Sequence, residues 1–186
     1  MSHFWQHFKT IGHHRRLVRR GCFRVGLYWQ GLTHDLSKYS PAEFLTGVRY
    51  YQGTRSPNAA EREAKGYSEA WMHHKGRNKH HFEYWTDLSY ETGSYRPVEM
   101  PRRYLAEMVM DRIAACKTYQ GAAYTDASPL QYLDRARESR LVHPQTMKRL
   151  RFLLVMLAER GEKETFRFMR RVVLKGEAFA EDAMVS

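Results

Sequence analysis

Apolar residues recur at helical spacing over most of this chain, and the period-two Val/Ile/Thr alternation that marks strands is scarce. From residue 3 to about 20, Trp5, Phe8, Ile11, Leu17 and Val18 mark one stripe of a helix. Arg15, Arg16, Arg19 and Arg20 lie largely on its other side. A second helix is expected over residues 22–30 and a third from Pro41 to Tyr51. Ser40 fits the N-cap of the third helix, Pro41 its first helical position and Glu43 its capping-box position. Gly53 to Ser56 reads as a loop, after which Pro57 opens a helix carrying Tyr67, Ala70 and Trp71 towards His73 and His74, with Gly76 interrupting it. Residues 88–100, rich in Ser, Tyr, Gly and Pro, read as a long loop. The clearest helix starts at Pro101 and runs to about Gln120. A loop over 121–128 leads to helices at 129–139, 144–160 and 162–175, and to a frayed tail from Glu177. This pattern predicts an all-α fold.

Two polar residues fall on the inward side of these helices. His14 lies three residues after Ile11 and four before Val18, within the apolar stripe, whereas His13 sits at its edge. Asp111 lies three residues after Met108 and four before Ala115. A carboxylate on a buried face is costly unless something pairs with it. In a chain with 31 basic residues, an arginine or lysine is an ordinary partner. A third polar feature, the adjacent pair His34-Asp35, lies just before the helix start at Ser40. Neighbouring side chains diverge by about 100° in mid-helix, but at a break they can converge. An imidazole beside a carboxylate then offers two ligand types to a divalent transition metal. The competing reading is a helix end closed by a His–Asp hydrogen bond.

Charge and composition narrow the chemistry. The 186 residues carry a formal net charge of +11, with a pI near 9.8, which favours a polyanionic partner or an anionic substrate. Cys22 and Cys116 stand alone, so neither a disulfide framework nor a Cys-based zinc site is expected, and a reducing cytoplasm fits. The N-terminus lacks an apolar signal region, and the longest aliphatic run, Phe152 to Ala158, is too short to insert in a membrane. An HExxH zincin motif and a phosphate-cradling Gly-rich loop are both absent from the sequence. In the C-terminal part, Lys148, Arg149, Arg151, Arg160, Lys163, Arg167, Arg170, Arg171 and Lys175 run beside Phe166, Met169, Val172 and Val173. A solvated basic face on apolar-packed helices is the ordinary reading, and a nucleic-acid-binding face is the alternative.

The order His14, His34-Asp35, Asp111 resembles the motif of the HD superfamily of metal-dependent phosphohydrolases, with Lys38 matching that family's lysine shortly after the His-Asp pair. More narrowly, HDLSKYSPAEF, AWMHHKGRNKHHFEYW and EMVMDRIAACKTY are similar to an uncharacterised bacterial and phage family within or close to that superfamily. The resemblance covers roughly residues 4–120. It implies an HD-like metal-binding helical bundle over 1–121, with 122–186 as a helical extension packed on it. It also implies that His14, His34, Asp35 and Asp111 hold a divalent metal (Mn, Fe, Co, Ni or Zn). The twenty residues from His14 to His34 are few for this superfamily and leave the choice between His13 and His14 open, although the apolar register favours His14. In dinuclear members, histidines between the His-Asp pair and the last aspartate hold a second metal. On that basis His74, Asn78, His80 and His81 are candidates for a second metal or for substrate binding. Lys38, with Arg77 or Lys79, would meet the phosphate of a phosphomonoester or phosphodiester of nucleotide type. The rival class is a basic helical module that binds nucleic acid or protein, its metal structural or absent.

Overall fold

The computed structural model describes residues 2–135 and 141–175. Among the described residues, eight α-helices carry the fold: α1 (His3–Val25), α2 (Tyr28–Thr33), α3 (Pro41–Arg49), α4 (Pro57–Lys65), α5 (Glu69–Lys75), α6 (Arg102–Gln120), α7 (Ser128–Arg135) and α8 (Pro144–Lys175). The protein is a predominantly helical bundle, as the periodicity predicts, with α8 as a distinct C-terminal helix. Among the described residues, no helix is long and apolar enough to cross a membrane. The expected tail from Glu177 lies outside the described residues.

Helix α1 is longer than its pattern suggests. It runs through Gly21 and Cys22 and ends where Gly26 takes a left-handed conformation (φ 87°), so the second helix begins only at Tyr28. Its buried face is His7, Ile11, His14, Val18, Gly21, Cys22 and Val25, a spacing of three and four residues that includes two histidines. Trp5 and Phe8, assigned to this stripe by sequence, are instead about half exposed and pack edge-on against neighbouring rings, Phe8 beside Phe44 and Tyr39. The expected helix from Pro57 to His74 is two helices, because Gly66 adopts φ 82° and caps α4. The loop expected over 88–100 contains part of a short antiparallel hairpin, Thr86–Leu88 paired with Tyr95–Pro97. Helix α8 holds the two predicted C-terminal helices, joined at Gly161, whose φ of 72° and ψ of 174° break the helical path.

One contiguous core joins α1, α6 and α8: Val18, Cys22 and Val25 meet Leu105, Val109 and Ile113, with Leu150, Leu154, Leu157, Phe166 and Met169 closing over them. Two glycines set how closely helices approach this frame. A Cβ at Gly21 would stand 2.5 Å from Met110 Sδ, the mobile end of a flexible side chain. A Cβ at Gly47 would overlap the flat His7 ring, itself wedged against Phe44 and Tyr51. Gly47→Ala is therefore expected to destabilise the fold by roughly 1–3 kcal/mol, the usual cost of overpacking. Gly21→Ala should cost less, and urea denaturation of the two variants would rank them.

Candidate metal centre

The centre is assembled from α1, the turn after α2, the end of α5 and the turn following it, and α6. Helix α2 stops at Thr33. His34 then leaves the helical region (φ −48°, ψ 127°), and Asp35 adopts a left-handed conformation (φ 53°, ψ 27°). Asp35 is the only non-glycine residue at positive φ among the described residues. That conformation costs a non-glycine residue of order 1–2 kcal/mol, and here it turns two consecutive side chains into the same interior space. The turn is tied to α1 by Arg15, whose Nε donates to the His34 carbonyl (2.8 Å) and whose Nη2 donates to the Leu32 carbonyl (3.1 Å).

Asp35 is fully buried, and its two oxygens face opposite halves of the cluster. Oδ2 lies 3.3 Å from His34 Nε2, 3.6 Å from His14 Nε2 and 2.6 Å from Lys38 Nζ. Asp111 Oδ1 completes this half, 2.9 Å from His14 Nε2 and 3.5 Å from His34 Nε2. Oδ1 of Asp35 lies 3.2 Å from His74 Nε2 and 3.3 Å from His80 Nε2. His81 joins this second half, with its Nε2 2.9 Å from that of His74. In each half four ligand atoms lie within 4.8 Å of one another, supplied by His14, His34, Asp35 and Asp111 in one and by Asp35, His74, His80 and His81 in the other.

Two further carboxylates, neither picked out as a site residue from the sequence, hold the imidazoles. Glu107 Oε1 accepts from His34 Nδ1 (2.9 Å) and lies 3.2 Å from His80 Nδ1. Glu43 accepts from His73 Nδ1 (2.6 Å) and His74 Nδ1 (2.7 Å). Glu43 thus does not close a capping box at Ser40, whose side chain makes no cap hydrogen bond. Glu107 was legible in principle, one helical turn before Asp111 on the same face of α6. Glu43 was hidden because its capping-box position already offered it a local role.

The hydrogen-bond pattern makes the cluster's fit to a cation specific. A neutral imidazole that donates from Nδ1 presents a lone pair at Nε2. With Nδ1 of His34, His74 and His80 turned to carboxylates, three Nε2 lone pairs point at the Asp35 oxygens, acceptor against acceptor. Nε2 of His80 and Oδ1 of Asp35 are buried without a hydrogen-bond partner; Nε2 of His14 and His34 face Asp111 Oδ1, and Asp35 Oδ2 faces the Lys38 ammonium. Such atoms are costly to leave unmatched, and a cation matches all of them together. In its absence only protons can do so. Burial acts against charge on His34 and His74, but Asp35, with Asp111 and Glu107 around His34 and Glu43 at His74, outweighs it and raises both. Burial dominates at His14 and lowers it; burial and the nearby His80 and His74 hold His81 well below the ordinary imidazole value. Burial is likewise outweighed at the carboxylates. His34, Lys38 and His74 hold Asp35 well down, and hydrogen bonds from His14 and His34 do the same for Asp111.

The remaining candidates take other places. His13 is exposed on α1, while His14 is buried in the cluster. Residues 73–81 are not one helix: α5 ends at Lys75 with Gly76 as its cap, and a turn brings His80 and His81 back to His74. Asn78 supports that turn, its Nδ2 donating to the His74 carbonyl (2.8 Å) and to Ser37 Oγ (2.9 Å). Arg77 donates to the His73 carbonyl at the surface, and Lys79 Nζ lies over the rings of Tyr84 and Tyr104, 5.7 and 5.8 Å from their centroids. Lys38 points its ammonium at Asp35 while keeping 30 % of its side chain exposed.

Fold and site together define an all-α protein with a buried His/Asp cluster capable of coordinating a metal ion. The chain belongs to the Family of unknown function (DUF5662), whose model matches residues 3–156 and so spans every residue of the cluster. No curated protein and no solved structure matches it.

Proposed function

We propose that this protein is a metal-dependent phosphohydrolase of the HD type, acting on a phosphomonoester or phosphodiester of nucleotide type. His14, His34, Asp111 and Asp35 Oδ2 would hold one divalent cation; His74, His80, His81 and Asp35 Oδ1 would hold a second. When bound, such cations supply a water of lowered pKa and polarise a phosphoryl oxygen. The observation that carries this reading is the division of Asp35, one oxygen to each half, with Oδ1 buried without a hydrogen-bond partner among the imidazoles it faces.

The other residues have separable tasks. Glu107 and Glu43 fix the imidazole rings so that Nε2, not Nδ1, faces inward, which is the usual work of carboxylates behind histidine ligands. Arg15 holds the turn that carries His34 and Asp35. Access is from the side of Asp111 and Lys38, whose side chains are 17 % and 30 % exposed while those of His34 and Asp35 are at most 1 % exposed. Burial disfavours a charged Lys38, but Asp35 and Asp111 outweigh it and raise its pKa, so it stays cationic throughout the neutral range. An ammonium fixed at the mouth of the cluster is placed to offset negative charge developing on a phosphoryl group.

The test is hydrolysis of bis(p-nitrophenyl) phosphate and of nucleotides with Mn, Co or Ni supplied, alongside elemental analysis of protein purified without chelator. Turnover dependent on one of these metals, and abolished by Asp111→Ala in a protein that still melts cooperatively, is the expected result. A folded protein that refuses all of these cations would overturn the proposal.

A further inference from the structure

Behind the turn that carries His34 and Asp35, the groove between α1 and α2 holds an open pocket of about 150 Å³ lined by Gly12, Arg15, Arg16, Arg19 and Gly31. Three of its five residues are arginines. Among the described residues, no carboxylate lies within ion-pair distance of any of them. Arg15 is already rigid: two of its five N–H donors go to backbone carbonyls, and its guanidinium lies over the Tyr39 ring, 5.2 Å from the centroid. Arg19 is one turn beyond Arg15 and three residues beyond Arg16, the spacings at which like charges on a helix repel.

The floor of the pocket is a second sign. Gly12 sits in the interior of α1, where glycine costs about 1 kcal/mol relative to alanine. Packing does not demand it, since a Cβ at this position would meet nothing within 4 Å. What the missing side chain provides is room beside the guanidinium groups. Gly31, in contrast, is fixed by packing, its Cβ position being 3.0 Å from Cys22 Cβ and 3.1 Å from the Phe23 ring.

We infer that Arg15, Arg16 and Arg19 form a binding pocket for a phosphate or diphosphate group, separate from the His/Asp cluster. Guanidinium groups meet phosphoryl oxygens with paired N–H donors, the geometry for which arginine is suited better than lysine. The volume is about half of the roughly 300 Å³ at which pockets for drug-sized ligands begin, so it suits the phosphate end of a ligand and not a whole nucleotide. The inference is independent of whether the cluster hydrolyses anything.

The test is calorimetric titration of the full-length protein with inorganic phosphate, pyrophosphate and a nucleoside triphosphate. It is run in chelator, so that no cation bridges ligand to cluster. Saturable 1:1 binding of pyrophosphate is expected, weakened at least about tenfold by the double substitution Arg16→Ala/Arg19→Ala, as for loss of charge-assisted hydrogen bonds. Gly12→Leu, which projects into the pocket from a position where an added Cβ meets nothing within 4 Å, should weaken it similarly while the protein still melts cooperatively. The pair Lys163→Ala/Arg170→Ala, exposed on α8, removes the same net charge and should leave binding unchanged. Equal weakening by both double substitutions, no pyrophosphate binding, or binding lost only on Asp35→Asn would each overturn the inference. So would retention of a single-stranded oligonucleotide through these arginines with no affinity for pyrophosphate, which would make them part of a nucleic-acid surface.

Discussion

Replacing Asp35 by Asn is expected to strip the protein of metal in both halves of the cluster and to end turnover. Asparagine keeps the shape of the side chain and tolerates the left-handed backbone at this position, so the turn itself should survive. The substitution removes the one charge that both halves share: Oδ2 faces His14, His34 and Lys38, and Oδ1 faces His74 and His80. An amide nitrogen cannot ligate and an amide oxygen carries no charge, so one half loses a ligand atom and both lose the anion they share. In the metal-free protein, breaking such a buried ionic group by deleting one partner costs roughly 3–5 kcal/mol, here from the loss of the carboxylate that balances Lys38, His34 and His74. Elemental analysis would read the first effect and urea denaturation in chelator the second. A variant that retains the wild-type metal content would remove Asp35 from the centre of the scheme.

Glu107→Ala should produce the second-largest change, although Glu107 is assigned no ligand role. One oxygen of this buried carboxylate serves the Nδ1 atoms of both His34 and His80, one from each half. Without it, each ring loses the partner that fixes its tautomer and orientation. Substituting such supporting groups typically weakens metal affinity about 10- to 100-fold. Glu107→Gln keeps a carbonyl acceptor on the same stem and loses only the charge, so it should fall between wild type and Glu107→Ala. Competition with a chromogenic chelator would order the three proteins. Equal affinities would show that the rings are held by packing alone, through the stacking of His34 on His80 at 4.4 Å between centroids.

The sequence by itself determined the helical class, the long helix from Pro101, the break near Gly161 and the inward direction of His14 and Asp111, because all of these follow from local periodicity and backbone chemistry. It also marked His34-Asp35 as a pair at a helix break. Only the tertiary structure decided that Asp35 turns an oxygen towards each of two sets of histidines. That depends on a left-handed backbone at Asp35, a conformation that aspartate tolerates but that local sequence does not require. Only the structure, too, showed Glu43 leaving its capping role for His73 and His74, and Glu107 joining His34 to His80. These contacts link residues 30 to 73 positions apart, and local pattern carries no information about a partner at that distance. The same holds for the turn after α5: the spacing of His74, Asn78 and His81 suits a continuous helix, but Gly76 ends the helix. The chain then folds back through a turn that Asn78 ties to the His74 carbonyl and to Ser37, which brings His80 and His81 to His74.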